Sequence, residues 1–242
     1  MKTLIIIPSR LAATRLPGKP LLKIDGISII SHVFKRAESA NIGEVIVATE
    51  DQEIIDDVKS NGGNAILTSK NHKTGTDRIY EAFKKLHRND IHFIMNIQGD
   101  EPKIDIKDIK NLDDKMKANN LKIGTLAAKI SSDETYKNKN VVKVKVKEKL
   151  DRNSFPIAEN FIRITKDKEN IYHHLGIYSY EAETLNKFIS FDQSKNELKY
   201  SLEQLRALDN DININVGLAN SSPIGVDTEE DYLAIKKIME YK

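Results

Sequence analysis

The chain has 242 residues, carries 38 lysines and arginines against 36 aspartates and glutamates, and contains no cysteine. The resulting net charge of +2 is too small for the broad basic face that non-specific nucleic-acid binding requires. The lack of cysteine excludes disulfides, thiolate catalysis and cysteine-based zinc sites. No apolar run approaches membrane-spanning length and no charged leader precedes the first strand-like run, so we expect a cytoplasmic protein of one domain, residues 1–242, without membrane or nucleic-acid partners.

Apolar strand-like runs alternate with amphipathic segments through the first half of the chain. The strand-like runs are residues 4–7, 44–48, 65–67 and 93–97. The helical segments are residues 27–40, 52–61 and 77–87. Asp51 and Thr76 are the predicted N-caps of the last two of these helices. This alternation indicates right-handed βαβ units and a largely parallel sheet, so we predict an α/β fold that is Rossmann-like in its first half.

The pattern changes to extended segments from about residue 122. Strands are predicted at residues 123–130, 141–146, 172–180 and 212–217, and helices at residues 181–189, 198–209 and 228–241. The alternation VVKVKVK, residues 141–147, has the period of two that is typical of a half-exposed strand, and its lysines predict an edge position. We predict that residues 120–180 form an inserted β-rich subregion that covers a nucleotide site and contributes to a dimer interface.

The segment LIIIPSRLAATRLPGKP, residues 4–20, ends a buried strand in a loop that carries Arg10, Arg15 and Lys19. Ligands of open α/β sheets bind outside the carboxyl ends of the strands, where this loop begins. Three cations in a loop restricted by prolines are suited to a polyphosphate, because little further ordering is needed on binding. A solvated basic turn is the alternative, and neither a Walker loop nor a G-x-G-x-x-G dinucleotide motif is present.

The pattern P-S-R-x-x-x-T-R-L-P-G-K-P-L, residues 8–21, resembles the signature of the sugar-activating cytidylyltransferases, and in particular the 3-deoxy-manno-octulosonate (KDO) cytidylyltransferase, or CMP-KDO synthetase, family. Further matching segments are TGTDR (74–78), QGDEP (98–102), LGIY (175–178), LEQLRAL (202–208) and GVDTEED (225–231). The resemblance implies a three-layer nucleotide-diphospho-sugar transferase type fold with a mixed, mostly parallel sheet. It also implies that a Mg²⁺-dependent homodimer converts CTP and KDO to CMP-KDO and diphosphate for lipopolysaccharide biosynthesis.

Two aspartates are the candidate metal ligands. Asp100 follows a central strand, where a carboxylate can hold a hard cation beside a phosphate, although an aspartate in a turn often caps its own backbone. Asp227 stands before the last helix, where either it or Thr228 could be an N-cap. The resemblance implies that both Asp100 and Asp227 bind Mg²⁺, which requires that these distant residues meet in the folded protein.

Two further residues are candidates for the nucleotide site. Arg78 falls in the first turn of a predicted helix, where a cation is unfavourable with respect to the helix dipole unless it serves a partner. The resemblance implies that this partner is the nucleotide. It also implies that Gln98 lies in the same site near the reacting groups, in reach of the sugar.

The sugar-side residues follow from the resemblance alone. His174, Glu203 and Gln204 match positions that hold the octulosonate, whereas their types and spacing would otherwise indicate a core histidine and a solvated helix face. The family's usual Y-F-S-R-x-x-I-P ending of a longer hairpin is replaced by KEKLDRNSFP, residues 147–156. Arg152 is therefore the first candidate for the arginine that binds the sugar carboxylate, and Arg163 is the second.

The residue types alone support a metal-dependent nucleotidyltransferase and leave the base and the sugar open. One alternative is CMP transfer to a related acid sugar, such as 8-amino-KDO or a nonulosonic acid. A retaining glycosyltransferase-like enzyme is a further alternative, for which an Asp-x-Asp metal motif with a donor-sugar site would be expected, and none stands out here. A catalytically inactive nucleotide-binding regulator and a scaffold are the remaining alternatives.

Overall fold

The computed structural model describes residues 1–12, 15–222 and 224–240. The strands, in chain order, are β1 (Thr3–Ser9), β2 (Lys23–Ile24), β3 (Ile27–Ser28), β4 (Gly43–Thr49), β5 (Ala65–Leu67), β6 (Phe93–Asn96), β7 (Ile123–Ala128), β8 (Lys143–Val146), β9 (Ala158–Ile162), β10 (Ile171–Glu181) and β11 (Ile214–Leu218). The helices are α1 (Ile29–Ser39), α2 (Gln52–Ser60), α3 (Gly75–Lys85), α4 (Ile106–Asn119), α5 (Asp133–Lys137), α6 (Ala182–Ser190), α7 (Lys195–Tyr200), α8 (Leu205–Asp209) and α9 (Glu229–Glu240). Within these described ranges, none of the helices combines the length and the apolar character needed to cross a bilayer.

The chain forms two compact units, and the boundary between them falls within α4. The first unit contains residues 2–109 and the described C-terminal residues 224–240. The second unit contains residues 110–222 together with Met1. The predicted inserted subregion, residues 120–180, falls inside the second unit, and its role as a cover or dimer surface stays a prediction.

The first unit is organised on β1. This strand pairs in parallel with β4 on one side and β6 on the other, and β4 pairs in parallel with β5. Residues Leu4 to Ile7 are 0% exposed, as a β-branched run covered on both faces should be. Ser9 lies opposite Thr49, so the carboxyl ends of β1 and β4 reach the same edge of the sheet. The predicted βαβ organisation of this half is confirmed.

The second unit carries the antiparallel pairings. Strand β10 is antiparallel to both β7 and β8, β8 is antiparallel to β9, and β11 is parallel to β7. The fold is therefore of the α/β class with a mixed, mostly parallel sheet, as predicted.

Several predicted element boundaries are wrong for local reasons. Helix α3 begins after Thr74 rather than Thr76, because Thr74 and Asp77 form a reciprocal capping box. The single helix predicted over 198–209 is two helices, since Ser201 adopts a left-handed φ of 52° that ends α7. The sequence patterns did not predict α4 or β9, and the Tyr241 end of the helix predicted at 228–241 lies outside the described residues.

The lysine-valine strand is not at an edge, which corrects the prediction from its alternation. Strand β8 is paired on both sides, and the Lys143 side chain is fully buried. Its ammonium donates to the carbonyls of Asn138, Val141 and Arg163 at 2.7, 2.8 and 2.6 Å. Burial lowers the pKa of Lys143, yet the three carbonyls satisfy all three donors of the charged form.

Lys143→Ala is expected to lower the free energy of unfolding by about 3 kcal/mol, because three partly buried hydrogen bonds from a charged donor are lost. Lys145→Ala is the matched control on the same strand. Its ammonium lies 2.9 Å from Asp167 in a half-exposed ion pair, so its loss should change the free energy of unfolding much less. Urea unfolding at pH 7 measures both, and equal losses in the two variants would contradict the assigned role of Lys143.

Candidate active site

A cavity of about 340 Å³ lies at the carboxyl ends of the first unit's strands. Its walls come from segments that the chain folds to one place: residues 8–10, 15–16, 19–20, 72–75 with Arg78, 98–100, and Asp227. All seven residues predicted for the metal and nucleotide line it, namely Arg10, Arg15, Lys19, Arg78, Gln98, Asp100 and Asp227. The first unit therefore brings together the cationic and acidic groups that the sequence placed in separate motifs.

Lys19 lies between the two candidate metal carboxylates. Its Nζ is 2.8 Å from Asp100 Oδ2 and 3.3 Å from Asp227 Oδ1. The second carboxylate oxygen of Asp227 forms an ion pair with the Arg15 guanidinium, at a nitrogen–oxygen distance of 3.1 Å. The Lys19 side chain is only 13% exposed, so its contact with Asp100 is less screened by solvent than the half-exposed pair of Arg15 and Asp227. The convergence required of Asp100 and Asp227 is present in the structure.

Backbone contacts explain how two distant aspartates meet. The Val226 N–H donates to the Asp100 carbonyl at 2.9 Å, which ties the residue before Asp227 to Asp100 itself. Thr228 is the residue that caps α9, since its hydroxyl accepts from the Asp231 N–H at 3.2 Å and the Asp231 carboxylate accepts from the Thr228 N–H at 2.9 Å. Thr228 therefore performs the capping, and the Asp227 side chain is left to face the cavity.

The loop that carries the cations is anchored at its second half. Gly18 has a φ of +69°, a conformation that side chains rarely adopt, and its N–H donates to the Leu11 carbonyl at 3.2 Å. Leu16 and Leu22 pack against an apolar cluster that includes Ile29. Lys19 thus extends from a packed base. Thr14 of the signature lies outside the described residues.

Arg78 has a protein partner in the first unit. Its guanidinium, 4% exposed, makes an ion pair with Glu50 and donates to Thr68 Oγ1 at 2.6 Å and to the Ser69 carbonyl at 3.3 Å. The cation near the start of α3 therefore serves a carboxylate, and it also lines the cavity. Its contact with a nucleotide stays a prediction.

Sequence reasoning missed two residues of this cavity, His72 and Lys73. The His72 ring bonds to the Glu81 carboxylate, and Lys73 precedes Thr74, the N-cap of α3. The H-K dipeptide directly before TGTDR was the available signal. Both residues add donors to the wall at the positive end of α3, where an anion is favoured.

The predicted metal ligands of this site are the carboxylate oxygens of Asp100 and Asp227. Burial, together with the charge of Asp100, raises the pKa of Glu101 to about 8, so this neighbour contributes no third carboxylate charge near pH 7. Within the described ranges no cluster of three or more histidine, aspartate or glutamate side chains is arranged for a metal ion. Two carboxylates completed by phosphate oxygens and water are a set that suits Mg²⁺.

Apart from Gln98, which lines the cavity of the first unit, the predicted sugar residues lie in the second unit. His174 Nε2 is 3.1 Å from Thr125 Oγ1, and its ring lies 5.0 Å from Phe161 and 5.3 Å from Tyr178. Burial, and next the neighbouring His173, lower the pKa of His174 to about 3, so the imidazole is neutral at physiological pH.

Tyr178 is a candidate that sequence reasoning missed, although it belongs to the quoted LGIY segment. Its hydroxyl is buried and makes no hydrogen bond within the part of the chain that the structure describes. Burial raises the pKa of Tyr178 well above its usual value, and the charges of Tyr180 and Glu203 contribute to this shift. The second unit thus brings His174, Tyr178 and Glu203 into one neighbourhood, with Gln204 at the start of α8.

The two candidates for the sugar carboxylate differ in their contacts. Arg163 donates to the carbonyls of Lys139, Tyr200 and Ser201 at 3.0, 2.9 and 2.8 Å. These bonds hold the turn that precedes Glu203, so Arg163 has a structural role in the second unit. Arg152 is exposed and makes no hydrogen bond or ion pair with the described residues.

Comparison with known proteins gives consistent matches. A cytidylyltransferase family model matches residues 4–214. The 3-deoxy-manno-octulosonate cytidylyltransferases of Thermodesulfovibrio yellowstonii and Rhodopseudomonas palustris (strain BisB18) are each 41% identical to this chain, over 99% of it and 98% of their own lengths. A solved structure of CMP:2-keto-3-deoxy-manno-octonic acid synthetase complexed with CTP has a TM-score of 0.89 at 35% identity and covers 99% of this chain and 98% of its own. The chain therefore belongs to the 3-deoxy-manno-octulosonate cytidylyltransferase family of enzymes.

Proposed function

We propose that this enzyme transfers the cytidylyl group of CTP to 3-deoxy-D-manno-octulosonate and releases diphosphate, as a step of lipopolysaccharide biosynthesis. The observation that carries the proposal is the pair Asp100 and Asp227 on either side of Lys19, within a cavity that Arg10 and Arg15 also line. Relatives named for this activity match nearly the whole chain, which supports the choice of CTP and of the acid sugar.

Asp100 and Asp227 are the residues that would hold Mg²⁺. Their two carboxylates fit an ion that takes one or two protein carboxylates and completes its shell with phosphate oxygens and water. Bound there, the ion would supply Lewis-acid polarisation of phosphate oxygens. The protein's own cations already offset the repulsion between the two carboxylates, since Lys19 contacts both of them and Arg15 contacts Asp227.

The cations of the loop neutralise the triphosphate. Arg10, Arg15 and Lys19 offset the charge of the bound phosphates and of the departing diphosphate, which is where negative charge accumulates during transfer. The anomeric hydroxyl of the sugar attacks the α-phosphorus in line and gives its proton to solvent water. A new oxygen–phosphorus bond forms while the bond from the α-phosphorus to the oxygen that bridges to the β-phosphate breaks, and diphosphate leaves. Catalysis in this scheme consists of positioning and charge stabilisation, without a covalent enzyme intermediate.

The acid sugar needs one cationic donor and several polar partners. Arg152 is the better candidate for the sugar carboxylate, because the donors of Arg163 are engaged with main-chain carbonyls. His174 acts as a neutral hydrogen-bonding group, since its lowered pKa leaves it uncharged. Gln98, Glu203 and Gln204 complete the predicted set of partners for the sugar hydroxyls.

We also propose that the active form of the enzyme is a homodimer.

A related acid sugar is the second candidate substrate. The segment from Lys147 to Pro156 departs from the family pattern, and it carries the arginine assigned to the sugar carboxylate. CMP transfer to 8-amino-KDO or to a nonulosonic acid is therefore included in the test.

The direct test measures diphosphate release with each of the four nucleoside triphosphates and Mg²⁺, with KDO present and with KDO omitted. We expect release with CTP that depends on the sugar, and CMP-KDO as the product. Preference for another nucleotide would contradict the proposal, and faster turnover with an amino-octulosonate or a nonulosonate would select the second candidate.

Asp100→Asn and Asp227→Asn are each expected to lower kcat by at least about 10²-fold, the scale of losing one preorganised electrostatic group. Asp114→Asn, a neutralisation on the exposed surface of α4, is the matched control and should turn over like wild type. Steady-state kinetics at saturating Mg²⁺ measure all three. Normal turnover of either site variant would remove that aspartate from the metal site.

His174 makes stability depend on pH. The unfolded chain binds a proton at this residue below about pH 6.5, whereas the folded protein does so only near pH 3. Unfolding is therefore favoured as the pH falls through this window, by up to about 1.4 kcal/mol per pH unit for one proton. Urea unfolding between pH 6.5 and 4.5 should show a shallower loss in His174→Gln, whereas His87→Gln, at an exposed site, should follow wild type. Equal slopes in wild type and His174→Gln would refute this assignment.

A further inference from the structure

Of two neighbouring carboxylates at the end of β4, one contacts a side chain of the cavity wall and the other contacts the backbone of the loop after β1. Glu50 and Asp51 follow Thr49, which lies opposite Ser9 of β1. Parallel pairing therefore places Glu50 and Asp51 beside Arg10 and Leu11, the residues with which the cationic loop begins. Neither carboxylate belongs to the metal, nucleotide or sugar residues assigned above.

Asp51 occupies the N-cap position of α2 but does not cap the helix with its side chain. Its Oδ2 instead accepts a hydrogen bond from the Leu11 N–H at 2.7 Å. The side chains of aspartates at this position usually accept from the first turn of their own helix. Helix α2 therefore lacks the stabilisation of a side-chain N-cap, and the Asp51 carboxylate binds the backbone of the loop after β1 instead.

Leu11 is held through both of its backbone groups. Its N–H donates to Asp51, and its carbonyl accepts from the Gly18 N–H at 3.2 Å. The bond to Asp51 fixes Leu11, the residue directly after Arg10. The bond from Gly18 ties Leu11 to the residue directly before Lys19. Both bonds restrain the segment that presents the cations.

Glu50 restrains the opposite wall. Its carboxylate pairs with Arg78, and both side chains are largely buried. Thr68 donates its N–H to the Thr49 carbonyl at 2.7 Å and accepts from Arg78 through its hydroxyl. The end of β4 is therefore a common support for Arg78 and for the Arg10 side of the cavity.

We propose that Asp51 is a positioning residue of the nucleotide site, which holds the cationic loop in its ligand-binding conformation through the Leu11 N–H. The proposal rests on the proposed function for its kinetic consequence only. A loop that is ordered before the triphosphate arrives loses less conformational entropy on binding, so the bond should tighten the binding of CTP. Asp51 itself contacts neither the substrate nor the metal in this scheme.

Amide hydrogen exchange of Leu11 tests the contact without any substrate. We compare wild type with Asp51→Ala, which removes the acceptor, and with Asp51→Asn, which keeps an oxygen acceptor in the same place. Exchange at Leu11 should be at least about tenfold faster in Asp51→Ala and close to wild type in Asp51→Asn, because the hydrogen bond protects the amide. Unchanged exchange in Asp51→Ala would overturn the proposal whatever reaction the enzyme catalyses.

Steady-state kinetics test the consequence for the nucleotide. The KM for CTP should rise about tenfold in Asp51→Ala with kcat within about threefold of wild type, and Asp51→Asn should restore the KM. A lower melting temperature in Asp51→Ala with an unchanged KM would show an ordinary helix cap and overturn the proposal. Failure of wild type to release diphosphate from CTP would instead contradict the proposed function, and the exchange measurement would still decide the role of Asp51.

Discussion

The first unit depends on one arrangement: an ammonium group shared by two carboxylates that are more than a hundred residues apart in sequence. Lys19 contacts Asp100 and Asp227, and the backbone bond from Val226 to Asp100 fixes the two acidic segments side by side. Carboxylates this close would repel each other if no cation lay between them. The position of Lys19 therefore lets the protein assemble an acidic site before any ligand neutralises it.

Residues around the cavity make the capping and supporting contacts of the nearby helices and loops. Thr228 caps α9, which leaves Asp227 to the cavity, and Asp51 leaves its own helix uncapped to hold Leu11. Arg78 is held in the wall by Glu50. In each case a residue outside the predicted metal and nucleotide set makes the supporting contact, which the spacing of residue types does not reveal.

The alternating strands and helices up to β6 could be predicted because each is encoded by neighbouring residues, although α4 was missed. The convergence of Asp100 with Asp227 was anticipated through the resemblance. The wrong element boundaries have local causes that the residue types alone did not show, and the wrong residue roles depend on distant contacts. The reciprocal bonds of Thr74 and Asp77 moved the start of α3, and the left-handed Ser201 divided a continuous helical pattern. The partners of Arg163 and Arg78 come from other segments, so their types alone could not show that Arg163 is structural or that Arg78 is buried against a carboxylate.

The buried ammonium of Lys143 also bears on how its strand finds its place. Valine and lysine repeat every two residues along β8. A shift of β8 by two residues relative to its partner strands would therefore keep the same kinds of side chain on each face, so the alternation alone does not fix the register. The carbonyls of Asn138, Val141 and Arg163 form a socket for a single ammonium, at one point along the strand. These three hydrogen bonds therefore favour one register of β8 in an otherwise repetitive sequence.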